Sequence, residues 1–387
     1  MLRNNEAWFD TARDGLSRRQ ALQLVLAAAA AGTCKLSFAQ SAHFERYEQA
    51  LVIDGLGAPA AYRPDGTIEM DGTTHLLAAV KESGLTAVNV TVSEVGNGPN
   101  RFEEAVTGIA IFEQLIAQHP DTFMRINTAD DLQVAKSSGR LGLIYGFQDT
   151  TPLESDVSRI GLFRALGVRI IQLTYNKRNL VGDGSLEPAN AGLSDFGRAV
   201  IAELNRERVL IDLSHGGQRT VAEAIAASKA PVAITHTGCR ALVDRPRNVY
   251  DEELRAVADK GGVVGIYLMP FLRESGQPRA EDVLRHIEHA LEVCGEDHVG
   301  IGTDGFIGGV PITPQFKESH REFVEDRIRR GIAAPGEAVD VYNFVPDYNT
   351  PRRFATIADD LARRGHKSSR IEKILGGNFA RLFREVW

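Results

Sequence analysis

Val209-Leu210-Ile211-Asp212-Leu213-Ser214-His215, and beyond a helical stretch Pro231-Val232-Ala233-Ile234-Thr235-His236, are the segments whose reading decides the fold. Each is apolar at almost every position and shows no alternation. A strand with that pattern is covered on both faces, as in a parallel sheet. The span between them, Thr220–Ser228, has the spacing of a helix. Strand, helix and parallel strand make one βαβ unit. Each strand also ends on a hydroxyl residue followed by a histidine.

The same rhythm extends in both directions. Upstream runs of strand character are Leu51–Asp54, Ala87–Val92, Leu141–Phe147 and Arg169–Tyr175, and downstream runs are Gly262–Leu268 and His298–Asp304. Helical patterns lie between them at Glu103–Gln118, Asp195–Arg206, Glu252–Lys260 and Ala280–Val293, with Ser194 placed to cap the second. Strands alternating with helices in this number predict a (β/α)₈ TIM barrel, a fold of about 250 residues plus insertions. A doubly wound open sheet would call for a Gly-rich phosphate loop after the first strand. Asp54-Gly55-Leu56-Gly57-Ala58 is a poor version of one. No internal repeat is visible. The stretch from Gly305 to Asn349 reads as a long irregular loop over the mouth of the barrel.

Composition bounds the function. The chain has 387 residues, 43% hydrophobic and 25% charged, with a formal net charge of −7. That is globular and argues against a nucleic-acid surface. The basic cluster Arg327, Arg329 and Arg330 reads as a solvated helix face. The three cysteines, Cys34, Cys239 and Cys294, form no CxxC motif, so neither a disulfide scaffold nor a thiolate zinc site is indicated. The N-terminus reads as an export signal over residues 1–39. Ser17-Arg18-Arg19-Gln20-Ala21-Leu22 opens an apolar run to Thr33, and Ser37-Phe38-Ala39 is a small-x-small cleavage pattern. The run is shorter than the roughly 20 residues that span a bilayer. The paired arginines point to the twin-arginine export machinery as a partner and to a periplasmic or secreted protein, with residues 40–387 forming the single barrel domain.

In such a barrel the chemistry sits where strands finish. The C-terminal ends carry Gln148-Asp149, Thr174-Tyr175-Asn176, Ser214-His215, Thr235-His236 and Thr303-Asp304. Two histidines on adjacent strands and a carboxylate from another converge on one point, a donor set suited to zinc or another divalent metal.

These segments resemble the membrane (renal) dipeptidase family of zinc dipeptidases, a branch of the metal-dependent amidohydrolase-type barrels. The carrying residues are Leu166-Gly167-Val168-Arg169, Gly192-Leu193-Ser194-Asp195-Phe196-Gly197, Ile211-Asp212-Leu213-Ser214-His215 and Arg247-Asn248-Val249-Tyr250-Asp251. Gly302-Thr303-Asp304 and Gly376-Gly377-Asn378-Phe379 complete the set. The resemblance implies a hydrolase of dipeptides or related small amides, with a possible homodimer. By residue matching, His215 and His236 are metal ligands, Asp304 moves the proton and meets the substrate amine, and Arg247 holds the substrate carboxylate. Read on its own, Arg247 would be a structural salt bridge with neighbours such as Asp244.

The family pattern breaks at three places. Leu56 and Ala58 stand where a His-x-Asp pair holds one zinc, and Gln148 replaces the bridging glutamate. Tyr175 replaces a histidine that polarises the scissile carbonyl. These departures predict one metal ion per chain rather than two, on His215 and His236 with Gln148 or Asp304 completing the site. Asp304 and Tyr175 would be the catalytic pair, and Arg247, Tyr175 and Asp304 would bind substrate. The rival expectation is a non-hydrolytic or metal-free dipeptidase-like protein that binds or modifies a peptide-derived metabolite in the periplasm.

Overall fold

The computed structural model describes residues 43–387 apart from Thr73, Arg330 and Ile332, so the expected export signal lies outside the described residues. Its strands in chain order are β1 (Ile53–Asp54), β2 (Gly57–Ala58), β3 (Ala61–Tyr62), β4 (Ile68–Glu69), β5 (Ala87–Thr91), β6 (Phe123–Arg125) and β7 (Leu141–Phe147). There follow β8 (Val168–Gln172), β9 (Leu210–Asp212), β10 (Ala233–Thr237), β11 (Val263–Ile266), β12 (Val299–Ile301) and β13 (Gly305–Phe306). Eight of them pair in parallel in the order β1-β5-β7-β8-β9-β10-β11-β12. Each of the eight apolar runs in the sequence contributes one. They are buried at every position but Thr91 at the end of β5, all seven positions of β7 included. The intervening helices cover the outer faces, among them Arg101–Gln118, Asp195–Arg206, Gln218–Ala227, Asp251–Asp259 and Ala280–Cys294. Ser194 caps the second, its Oγ accepting from Gly197 N at 2.9 Å.

The last strand meets the first and closes the barrel. Gly55 N donates to Ile301 O at 2.8 Å, and Asp304 N donates to Leu56 O at 2.8 Å. Beyond them β13 pairs in parallel with β2. Asp54 latches this seam: its carboxylate accepts from Thr303 N at 2.7 Å and Thr303 Oγ1 at 2.6 Å.

The opposite end is plugged. Ile53, Ala87, Ile144, Ile170, Leu210, Ala233 and Val263 come from seven different strands and pack with Phe379 and Phe383 of the C-terminal helix Asn378–Val386. The Phe379 ring lies where side chains at Gly55 and Gly300 would otherwise stand. Asn378 holds that helix in place by donating to Val299 O at 2.8 Å. This gives the Gly376–Phe379 segment its structural reason. It seals the N-terminal end and leaves the C-terminal mouth as the open one.

Three features depart from the sequence reading. The ladder strands β8 and β9 stop at Gln172 and Asp212, short of Tyr175 and His215, which sit in the turns that follow. β6, too short to show a pattern, pairs with the first half of β7. The stretch Gly305–Asn349 is not merely irregular, since it contains β13 and the helix Pro314–Arg329.

The latch gives a pH prediction. Burial pushes the Asp54 carboxyl up to about 7, against the pull of its Thr303 hydrogen bonds and of Arg353. A carboxyl raised on folding stabilises the fold fully at acid pH, and that contribution is lost as pH rises through about 7. Asp54→Asn removes the titration. The melting temperature of the wild type relative to this variant should therefore fall between pH 5 and pH 8, by an amount worth a few kcal/mol on the order of magnitude. Parallel melting curves with a constant offset would show that Asp54 does not titrate there.

Candidate active site

Two histidines meet at the open end of the barrel. The His215 and His236 rings are 5.0 Å apart between centroids, and Tyr175 stacks on the other side of His215 at 4.1 Å. Both imidazoles are buried and neutral. Desolvation, with Arg247 nearby, holds them well below the ordinary histidine range.

Their tautomers follow from counting protons. Thr235 has one hydroxyl proton and donates it to Asp212 Oδ2 at 2.5 Å. It therefore accepts from His236 Nδ1 at 2.9 Å. His215 Nδ1 donates to Asn176 Oδ1 at 2.7 Å. Both Nε2 atoms are thus left as bare lone pairs, and both are buried without a hydrogen-bond partner. A buried unpaired acceptor is costly unless something occupies it. Two neutral imidazoles with Nδ1 fixed by an oxygen behind are a recurrent way to present metal ligands. Asp212 organises this backing, accepting also from the Ser214 hydroxyl at 2.7 Å and from Thr235 N at 3.0 Å.

The two bare imidazole nitrogens are what the described residues offer a divalent ion here. Leu56 is buried at 3% exposure, and Leu56 and Ala58 offer no donor. The Gln148 amide donates to Thr91 Oγ1 at 2.8 Å, and Gln148 is not among the residues lining the cavity. Among the described residues no three His, Cys, Asp or Glu side chains gather into a metal-holding group.

His215, Tyr175, Arg247 and Asp304 line one cavity of about 650 Å³. His236 is fully buried behind His215 and is not part of the lining. Asp304 has a left-handed backbone, φ 55°, as does His215 at 61°. Such strained positions are kept where the surrounding structure fixes a side chain for use. Burial raises the Asp304 carboxyl to about 6, while Arg247 and Arg327 pull it back. Arg247 is 3% exposed, lies over the Tyr267 ring at 5.8 Å, and its Nη2 has no partner. The salt-bridge reading finds no support here, because Asp244 pairs with Arg240 at 2.6 Å and Arg245 donates to the Glu274 carbonyl.

Arg327 is the residue that the sequence reading misplaced. It is not on a solvated face. It lines the cavity and makes a two-point ion pair with buried Glu337, at 2.5 and 2.9 Å. It also hydrogen-bonds the Tyr175 side chain. The signal was available in the helical spacing. Phe316, His320 and Val324 are the buried residues of that helix, and Arg327 continues their stripe.

The chain matches the family model described as membrane dipeptidase (peptidase family M19) over residues 70–335. It is 28% identical to Dipeptidase tcpJ of Claviceps purpurea across 76% of this chain, and spans 64% of that relative's length. Among solved structures, an amidohydrolase from Pseudomonas aeruginosa is 33% identical, with a TM-score of 0.76 over 89% of this chain and 98% of its own. A metallopeptidase from Rhodobacter sphaeroides, solved with a phosphinate mimic of L-Ala-D-Ala, shares the fold. It has a TM-score of 0.70 and 20% identity over 87% of this chain and 99% of its own. With the family model covering most of the chain, the chain belongs to the membrane dipeptidase family.

Proposed function

We propose that this chain is a hydrolase of dipeptides or related small amides that works with one divalent metal ion, zinc or a similar cation, on His215 and His236. The observation that carries the reading is the pair of buried, unpartnered Nε2 atoms, each fixed as an acceptor by the hydrogen bond behind it. A bound divalent ion would supply water of lowered pKa and a polarised carbonyl. The chain's own residues do the rest. Arg247 receives the substrate carboxylate with its open Nη2. Asp304 accepts the proton of the attacking water and returns it to the leaving amine. Tyr175 receives the Arg327 hydrogen bond on its oxygen, which leaves its own O–H to donate to the developing oxyanion. Burial, with the nearby Asp304 charge, keeps that phenol above the usual tyrosine range and therefore protonated.

Elemental analysis of the purified protein should find about one zinc-like ion per chain, lost in the His215→Ala/His236→Ala variant. Metal-free wild type that hydrolyses no dipeptide with added zinc, manganese or cobalt would sink the reading.

That no third ligand joins the two histidines among the described residues favours a second reading, a protein that binds or modifies a peptide-derived metabolite without hydrolysing it. Leu56→His, Ala58→Asp and Gln148→Glu together separate the two. In the hydrolase reading the triple variant gains metal, from about one to about two ions, and the parent is already active. Activity confined to the triple variant would establish the second reading. The twin-arginine pattern at Ser17–Leu22 supports a periplasmic or secreted location for this work, which fractionation of the native host would check.

A further inference from the structure

The cavity is built for more than two small residues. At about 650 Å³ it falls within the range, about 300–1,000 Å³, of pockets that enclose drug-sized molecules. Its charged side chains are Arg247 and Asp304, the Arg327–Glu337 pair, and Arg353, whose guanidinium is taken up by the carbonyls of Phe306 and Gly308. Another part of the wall is aromatic. Tyr62 of β3 lies 5.5 Å from Phe306 of β13 and 5.9 Å, edge-on, from Phe316. Phe344 lies 6.1 Å from Phe316, and Tyr342 stacks behind it at 5.2 Å with 9° between planes.

All of these rings come from the β3–β4 hairpin and the chain between β12 and Asn349. They stand at the β12–β1 seam, while Arg247 follows β10. At the cavity edge Ile68 and Phe323 also line the space, and each is 48% exposed. Large apolar side chains that face a concave site and remain open to solvent mark a surface meant to be covered. The wall is recessed and continuous with the polar floor. Its occupant is therefore part of the reacting molecule and not a second copy of the chain.

We infer that the substrate carries a large aromatic or fused-ring apolar group, held against Tyr62, Phe306, Phe316 and Phe344, on the part of the molecule remote from the carboxylate that Arg247 receives. This rests on the hydrolase reading above and adds the substrate class to it. Planar rings gain both buried area and edge-to-face contacts in such a wall. A small aliphatic side chain would leave most of it wet.

The test is calorimetric binding of two non-cleavable analogues with a CH₂–NH group in place of the amide, Trp-Ala and Ala-Ala, to the protein as purified. The Trp analogue should bind at least about 30-fold more tightly. Phe316→Leu combined with Phe344→Leu keeps apolar volume and removes two rings, and should cut the ratio below about fivefold. Phe323→Ser removes a half-exposed ring at the cavity edge, beneath Arg327 at 5.5 Å, and should lower the ratio severalfold. Thermal melts confirm that each variant is folded. Equal affinity for the two analogues, with both parent dipeptides turned over, would overturn the aromatic preference and leave the hydrolase reading standing. No binding of either analogue and no turnover of either dipeptide would overturn both.

Discussion

Asp304→Asn is expected to lower kcat/KM for dipeptide hydrolysis by about 10²–10⁴-fold, the range for removing a positioned acid–base group. The substitution isolates charge from fold. Asparagine is among the few residues that accept a left-handed backbone, so φ 55° survives the change. The backbone bond from residue 304 to Leu56 O at 2.8 Å does not involve the side chain and also survives. What disappears is a carboxylate that can accept a proton and give it back. The pH profile carries a second signature. Burial raises the carboxyl to about 6, and it works as a base only when ionised. Activity should therefore climb about tenfold per pH unit on the acid side and level off at or below about 6, because a nearby cation favours the ionised form. The variant should lack that limb. A variant within threefold of wild type across pH 5–8 would remove Asp304 from the chemistry.

The parts of this site that the sequence disclosed are those with a periodic or terminal signature. Strands buried on both faces announce themselves as unbroken Val, Ile and Leu runs, and in a barrel the residue after each run faces the mouth. His215, His236 and Asp304 were found in that way. The strand ends are read too far because Leu213 is still buried and its N–H still donates to Ala233 O at 2.8 Å, while the chain turns at Ser214 and His215, and a turn leaves no mark in an apolar run.

The insert helix was hidden for the opposite reason. Its composition, PQFKESHREFVEDRIR, is mostly polar, and only a narrow stripe is covered. Arg327 lies on that stripe, but its charge invites a solvent-facing assignment. The ion pair with Glu337 and the Tyr175 hydrogen bond hold it in its largely covered position, and Glu337 lies in a turn with no pattern of its own. The backing of the histidines falls between these cases. A hydroxyl residue before each histidine was visible. That Thr235 passes the charge of Asp212 on to His236 depends on a 2.5 Å contact between neighbouring strands.

Arg247→Met should raise KM for substrates with a free carboxylate by about 10²-fold or more, while leaving the small activity on C-terminally amidated analogues within a fewfold of wild type. The guanidinium is buried, and its unpaired Nη2 makes it an expensive group to keep unless a ligand completes it. Truncating one side of such a desolvated, charge-assisted contact costs about 2–5 kcal/mol. Arg247→Lys keeps the charge but loses the planar two-point geometry, so it should recover only part of the loss. A structural role would penalise both substrate types alike and lower the melting temperature in parallel. The electrostatic readout also distinguishes the two. Arg247 is the first influence pulling the Asp304 carboxyl down against burial, and it also lowers the protonation of His215 and His236. Removing its charge should therefore move the acid limb of the pH profile upward, with the imidazoles easier to protonate and the carboxylate harder to ionise. An unmoved limb together with equal losses on acid and amide substrates would return Arg247 to the scaffold. An upward shift confined to the Met variant would place its charge over the reacting centre.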